Sequence, residues 1–439
     1  MLSLRLYLIF LDWWTRIAQV FAAFRDEIRT ALRSVGIDGP PSPSCKVLTP
    51  GWLSAVLKKE VIAVERNELD ENRGLAGSMM RYEVVLKDGT RIKTILKTSQ
   101  PQRRRNLISS GQAREALFYK SRYGKNLAGQ HGVRRVPRVY YSHGSTWLGE
   151  VVILMEDLTQ EENGVHGIAV NHVMGNQVWG GVPEDLPELN RIELLKIIFL
   201  QAAELHAQHW NHPILLSEGW MRNSQWFSGR GRHHWELAME TSRRGWTKLK
   251  SRTDLSFPKG FVECIDASHC HSTWDKVQAH LASAPYTLCH GDFHAANMIL
   301  RRSTKCTGCD TDKDNEWVTT VDWSEVGPWE PTTDLAQIVI SDFPKELFAE
   351  VRSVLKAYWD ALKSREIDYS WNDCLARFGE SGMERWVWVL GAMGNFPLPS
   401  LLFQYFVDQM HAFQSEFDPE RKSSHYTLKT CVYMLPTTY

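Results

Sequence analysis

The chain has 439 residues, 43% of them hydrophobic, with 51 Lys and Arg against 51 Asp and Glu. That length predicts two lobes plus an extension rather than one small core, and the balanced charge leaves no basic field to draw nucleic acid. Its eight cysteines are scattered, which in a chain of this size reads as reduced thiols and a cytoplasmic location.

Residues 1–30, MLSLRLYLIFLDWWTRIAQVFAAFRDEIRT, hold no unbroken apolar run long enough to span a membrane, because Asp12 and Arg16 interrupt it. LYLIFL is short for a signal-peptide core, and no cleavage pattern follows it. On a helical wheel Arg5, Asp12, Arg16 and Gln19 share one narrow face, with Leu, Ile, Phe and Trp around the rest. That is the pattern of a helix lying in a membrane interface, so peripheral membrane contact through residues 1–30 is one expectation. A helix packed on the body of the protein is a second, and a transit peptide is a third.

GIDGPPSPSC, residues 36–45, is a Pro/Gly/Ser linker that closes this extension. Thr49-Pro50 then opens a helix, with Thr as cap and Pro at the first helical position. VIAVER, RYEVVL and RIKTILKT read as strands, the last two joined through Asp88-Gly89, a strong hairpin signal. QAREALFYKSRYG reads as a helix, and VRRVPRVYYSHG and EVVILMEDL as further strands. Beyond residue 160 the pattern is helical, with Asn190 and Glu193 as a capping box, and strands return only around 286–323. The chain therefore divides into an extension at 1–45, a small β-rich N-lobe at 46–158 and a large mainly helical C-lobe at 159–439. That is an α+β, two-lobed architecture.

LCHGDFHAANMIL, residues 288–300, carries the chemistry. On an extended strand His290, Asp292 and His294 share a face, which would suit a metal triad. The same letters also give His-Gly-Asp, four residues and Asn, the spacing of a phosphotransferase loop in which Asp meets the accepting hydroxyl and Asn holds Mg²⁺. The segments NMIL and WVTTVDW would pair to bring Asn297 and Asp322 together, a hard-oxygen set suited to Mg²⁺, with Asp292 beside them orienting a hydroxyl. The triad reading leaves Asn297 and Asp322 without roles, so the kinase reading is preferred. It further requires a strand lysine for the nucleotide phosphates and a helix carboxylate to hold it. Lys97 at the end of TILK and Glu115 in QAREALFY supply these, with Lys93 on the same strand face as a rival. Gly74 and Gly77 in ENRGLAGSMMRY would let backbone N–H groups approach phosphates.

LTPGWL, GLAGSMMRY, ILKT, REALFY, VILMEDL, AELHAQHW, HGDFHAAN and VDWSEVGPWEPTTDLAQ follow one another between residues 48 and 343. In these the sequence resembles the ecdysteroid-kinase-like and aminoglycoside/choline-kinase-like phosphotransferases, small-molecule relatives of protein kinases. The resemblance implies a protein-kinase-like fold, ATP and Mg²⁺ as cofactors, and a small hydroxylated molecule as acceptor. It implies adenine recognition by backbone groups of Met155, Glu156, Asp157 and Leu158. It gives His290, His294 and Asp334 supporting roles around the loop, and His206 a structural place beneath it. His294 stands where the family often has an aromatic residue, and Ser324 where ecdysteroid-kinase-like proteins commonly have Gln.

Three questions stay open at this stage. The insert RSTKCTGCDTDKDNE holds Cys306 and Cys309, half of a zinc site that Cys264, His269, Cys270 or His271 would complete, or a simple polar loop. Trp210, Trp220, Trp226, Trp359, Trp371, Trp386 and Trp388 would either line a pocket for a lipophilic alcohol or fill a helical core. An inactive kinase-like scaffold and an aminoglycoside-type kinase are the rival functions. The first has no need to keep Lys97, Glu115, Asp292, Asn297 and Asp322 together, and the second calls for an acidic acceptor pocket that the C-terminal helices do not supply.

Overall fold

The computed structural model describes residues 2–42, 47–67, 77–129, 134–160, 165–175, 190–303, 316–421 and 424–429. The chain forms two units: Met1–Gly167 with Arg302–Asp310 and Thr319–Ser324, and Ile168–Arg301 with Thr311–Val318 and Glu325–Tyr439.

In the first unit α1 is Leu2–Ser34, and α2 is Pro50–Leu57, capped by Thr49, whose Oγ1 accepts from the Trp52 N–H at 3.3 Å. Strands β1 (Val61–Asn67), β2 (Gly77–Leu86) and β3 (Arg91–Ser99) follow, then α3 (Arg104–Ser110), α4 (Arg114–Lys120) and α5 (Arg122–Gly129), then β4 (Val139–Ser145) and β5 (Glu150–Glu156). The strands make one antiparallel sheet in the order β1-β2-β3-β5-β4. The β2–β3 turn forms where the sequence places it: Gly89 takes φ 83°, and Asp88 Oδ1 accepts from the Thr90 N–H. Alternation along β3 buries Thr94, Leu96 and Thr98, and Leu96 joins a core of Val84, Val152, Leu154 and the α2 residues Trp52 and Leu53. Lys97 therefore faces away from α2.

The extension packs on this unit. The α1 stripe Leu11, Thr15, Ala18 and Ala22 is buried. Arg104 Nη1 donates to the Ala18 carbonyl, Arg105 pairs with Asp12, Arg25 pairs with Glu150, and Trp14 Nε1 donates to the Trp147 carbonyl. Among the described residues no helix is long and apolar enough to cross a membrane.

The chain continues through β6 (Val165–Ala169), α6 (Val170–Met174), α7 (Arg191–Gln208), α8 (Ile214–Ser217), α9 (Ser224–Phe227), α10 (Arg232–Lys250), α11 (Phe261–His271) and α12 (Trp274–Ser283). Strands β7 (Thr287–Cys289), β8 (Met298–Ser303), β9 (Glu316–Thr320) and β10 (Gly327–Trp329) precede α13 (Pro331–Asp342), α14 (Phe348–Lys363), α15 (Trp371–Met393) and α16 (Ser400–Phe417). β7 pairs antiparallel with β10, and β6, β8 and β9 form a three-stranded sheet in the order β6-β8-β9. Asn190 Oδ1 caps α7 by accepting from the Ile192 and Glu193 N–H groups.

All twelve residues of α13 are buried. A helix enclosed on every side must find partners for each polar side chain it carries, and Asp334, Gln337, Ser341 and Asp342 sit on it. Six of the tryptophans contribute to this core: Trp226, Trp386 and Trp388 are buried, Trp386 stacks on Phe406 at 4.6 Å, and Trp210, Trp359 and Trp371 pack against the same cluster. The helical interior needs large apolar volume, and these side chains supply part of it.

Candidate functional site

In the first unit three charged residues converge. Lys97 Nζ lies 2.7 Å from Glu115 Oε2 and 3.1 Å from Asp322 Oδ2. β3 aims the lysine to the sheet face opposite α2, and the first turn of α4 presents Glu115, which is 2% exposed. Burial works against the Lys97 charge, but Asp322 and Glu115 outweigh it and raise its ammonium above the ordinary lysine range. Burial in turn pushes the Glu115 carboxyl up to about 7, against the pull of Lys97. Lys93, the rival, is exposed and donates to Gln160 Oε1 instead.

Asp322 reaches this place because its neighbours anchor on the same unit. The Trp323 indole stacks on Phe118 of α4, with ring centroids 4.2 Å apart and planes 10° apart. Arg114 Nη1 donates to the Ser324 carbonyl, and the Thr320 N–H donates to the Arg135 carbonyl. Asp322 itself adopts φ 60°, a left-handed conformation that Asp tolerates better than most residues.

The segment expected to read adenine follows β5. Glu156 and Asp157 have their N–H groups engaged, donating to the Arg138 and Lys93 carbonyls at 2.9 and 3.1 Å. Their side chains also turn into the unit: Glu156 Oε1 accepts from the Arg138 N–H, and Asp157 pairs with Arg81 and accepts from Thr159. Met155 pairs with Ile95 within the sheet, and Leu158 is buried. A base bound here would have to use other backbone groups of Met155–Leu158. Gly77 opens β2 opposite Ser99, while Gly74 and the Cys306–Cys309 insert lie outside the described residues. His269, offered as a zinc partner, has both ring nitrogens occupied, by Ser242 Oγ and the Ile265 carbonyl.

In the second unit the loop after β7 is held by α13. Asp334 accepts from two consecutive backbone donors, the His290 N–H at 2.7 Å and the Gly291 N–H at 3.1 Å. Burial pushes the Asp334 carboxyl up to about 6, against these hydrogen bonds and the Arg385 charge. Gly291 takes φ 80°, and a Cβ there would lie 2.2 Å from the Glu325 carbonyl oxygen, so both backbone and space require glycine. His290 Nδ1 accepts from the Asp292 N–H, and His290 packs edge-on against Phe293. The side chain of Asp292, 23% exposed, accepts from Gln337 Nε2 at 3.0 Å on Oδ1 and from Asn297 Nδ2 at 3.2 Å on Oδ2. His294 Nε2 lies 3.2 Å from the second oxygen and an Arg385 Nη 3.7 Å from the first. Burial favours the neutral carboxyl, yet His294 and Arg385 hold Asp292 well below the usual carboxylate range. The Asn297 amide donates to both the Asp292 carbonyl and its carboxylate. Those acceptors fix which end of the amide is nitrogen, and among the described residues Oδ1 accepts no hydrogen bond.

A family model described as APH, the phosphotransferase enzyme family, matches residues 126–369, more than half of the chain. The chain belongs to that family. The matched span holds Asp292, Asn297, Asp322 and Asp334, whereas Lys97 and Glu115 precede it, so their place in this phosphotransferase rests on the ion pair itself. Among solved structures, an ethanolamine kinase from Plasmodium vivax is 10% identical with a TM-score of 0.39, covering 80% of this chain and 81% of that one. A microcompartment-associated aminopropanol kinase is 14% identical with a TM-score of 0.38, over 84% of this chain and 97% of that one. A macrolide 2′-phosphotransferase from Brachybacterium faecium is 14% identical with a TM-score of 0.38, over 84% and 96%. No curated protein matches the chain.

The loop after β7 has three supports that sequence reasoning did not single out. Gln337 donates to Asp292 and accepts from the Phe293 N–H at 2.8 Å, Asp342 Oδ2 accepts from the Ala295 N–H at 2.9 Å, and Arg385 reaches in from α15. The first two had a signal: Gln337 and Asp342 lie three and eight residues after Asp334, which is one face of a helix. Arg385 had none.

Proposed function

We propose that this phosphotransferase moves the γ-phosphoryl group of ATP, with Mg²⁺, to a hydroxyl of a small molecule. The observation that carries the reading is Asp292: an ionised, partly exposed carboxylate whose orientation is fixed by Gln337, Asn297 and His294.

A carboxylate so placed accepts a hydrogen bond from the acceptor hydroxyl and turns its oxygen lone pair toward the phosphoryl group. As the new O–P bond forms, the bond from the γ-phosphorus to the bridging oxygen breaks and ADP departs, while the hydroxyl proton passes toward Asp292. Because its neighbours favour the charged form, Asp292 is a weak base, and orientation is its larger contribution. Lys97, kept charged by two carboxylates, would hold the nucleotide phosphates, and Glu115 would hold Lys97. Bound Mg²⁺ would neutralise phosphate charge; the oxygens that would suit it are the Asp322 carboxylate and Asn297 Oδ1, which among the described residues accepts no hydrogen bond. Six of the tryptophans pack in or against the core, so the acceptor proposed is the broader class of small hydroxylated molecules.

Thermal stability tests this reading. Nucleotide at about a hundred times its Kd adds roughly 2.7 kcal/mol. We expect ATP to raise the melting temperature only with Mg²⁺, and Asp322→Asn to abolish the rise. No rise with millimolar nucleotide and Mg²⁺ would favour an inactive kinase-like scaffold.

A further inference from the structure

The α1 helix buries a narrow stripe of mostly small residues and exposes most of its large apolar ones. Leu11, Thr15, Ala18 and Ala22 lie against the first unit, while Leu6, Ile9, Phe10, Trp13, Val20, Phe21, Phe24, Ile28 and Leu32 are each at least 40% exposed. At 100° per residue those nine occupy one face about 140° wide, along a helix of roughly 50 Å. Their exposures sum to on the order of 1,000 Å², against roughly 300–600 Å² for the largest apolar patch on a typical monomer. The patch continues onto the body: Phe10 stacks beside Trp14, which meets Trp147 edge-on at 6.1 Å, and Trp147 is itself 69% exposed.

We propose that this face seats the protein on an anionic lipid bilayer, with α1 lying in the plane of the headgroups. Charge supports a bilayer as the occupant. Residues 1–35 and 101–105 hold eight arginines against three acidic residues, in a chain whose net charge is zero. Arg16 borders the apolar face, and Arg103 is exposed and directly precedes Arg104 and Arg105, which bond to that helix. Shape supports it as well. A face this wide exceeds the narrow two-in-seven seam through which a second α1 would pair, and exposed Phe and Trp beside arginine is the composition of an interfacial helix. Pairs to Glu150 and Asp12 hold α1 with its apolar side outward, so no rearrangement is required. The inference is independent of what the enzyme phosphorylates.

Flotation of the full chain with vesicles tests it. We expect the protein to float with phosphatidylcholine–phosphatidylserine vesicles, to float several-fold less with phosphatidylcholine alone, and to be released by high salt. Phe21→Asp with Phe24→Asp should abolish flotation while leaving the melting temperature unchanged, and Arg103→Glu should weaken only the phosphatidylserine-dependent part. Val20→Asp alone serves if the double variant fails to fold. Wild-type protein that stays unbound to both vesicles, or an aspartate variant that floats as well as wild type, overturns the proposal. So does a dimer in light scattering that the aspartates dissolve while wild type ignores vesicles; the occupant is then a second copy.

Discussion

Each unit holds one charged group in place, Lys97 in the first and Asp292 in the second, and the two do so by different means. In the first unit Lys97 is held by opposite charges, Glu115 and Asp322, contributed by a helix and a turn that must each be in place. In the second unit the Asp292 charge is favoured by His294 and Arg385, while its orientation is fixed by amide hydrogen bonds from Gln337 and Asn297 and by a loop backbone anchored on Asp334. An ion pair tolerates small displacements because Coulomb attraction falls off slowly, whereas amide hydrogen bonds are directional and weaken steeply off axis. On the proposed function, the group that would hold phosphate is thus the more forgiving one, and the group that would orient the hydroxyl is the more rigid.

The largest effects should separate the halves by what they do. Asp292→Asn keeps a side chain of the same shape but cannot accept the hydroxyl proton. Its kcat should fall by about 10²–10⁴-fold, with magnesium-dependent stabilisation by ATP retained. Lys97→Met should lose activity together with that stabilisation. Loss of nucleotide stabilisation in Asp292→Asn as well would mean that the two halves do not divide the work in this way.

How much of this was legible in the sequence follows the same division. Lys97 and Glu115 were readable because strand alternation and a following helix are local patterns, whereas Asp334 came only from the family resemblance carried by TTDLAQ. Gln337 and Asp342 escaped notice because α13 is buried on every side, so the usual argument from one polar face had nothing to compare. Arg385 meets Asp292 only through the tertiary fold. The tryptophans looked the same as pocket or as core, since composition does not say which way an indole points. In α1 the wheel separated apolar from polar residues but not large from small. Packing chose the small stripe, where the helix backbone can approach the body closely.

A second substitution probes the rigid half through its backbone. Gly291→Ala must place a Cβ on the Glu325 carbonyl and hold alanine at φ 80°. We expect a loss of stability of about 1–3 kcal/mol from the strained backbone, more if the clash shifts β10, and a fall in kcat larger than stability alone explains. Glu115→Gln, the matching change in the ionic half, leaves Asp322 beside Lys97 and should raise the KM for ATP more than it lowers kcat. If Gly291→Ala leaves kcat intact, the loop is less directional than its hydrogen bonds indicate.

The smallest effect concerns the ground beneath the loop, where the second unit buries imidazole as the neutral form. His206 Nδ1 meets the Tyr358 hydroxyl at 2.9 Å, and the His206 carbonyl accepts from Thr287 Oγ1 at the start of β7. Burial, with His209 nearby, pushes His206 down to about 3 from its ordinary 6.5, and burial likewise pushes His269 down to about 4. A depressed folded pKa means that the stability contribution is full above pH 6.5. It is lost as pH falls, because the unfolded chain takes up protons that the fold refuses. Each such histidine steepens the acid loss by about 1.4 kcal/mol per pH unit until its folded pKa is reached. His206→Gln keeps a hydrogen-bonding group near Tyr358 and cannot become charged. At pH 7 it should be less stable than wild type by about 1 kcal/mol. By pH 4.5 the variant avoids a penalty of about 2.7 kcal/mol and should be the more stable protein. Urea midpoints at the two pH values read this directly: a difference that does not change sign would mean that His206 accepts a proton in the folded state, and that the strand leading into the Asp292 loop is wetter than its burial implies.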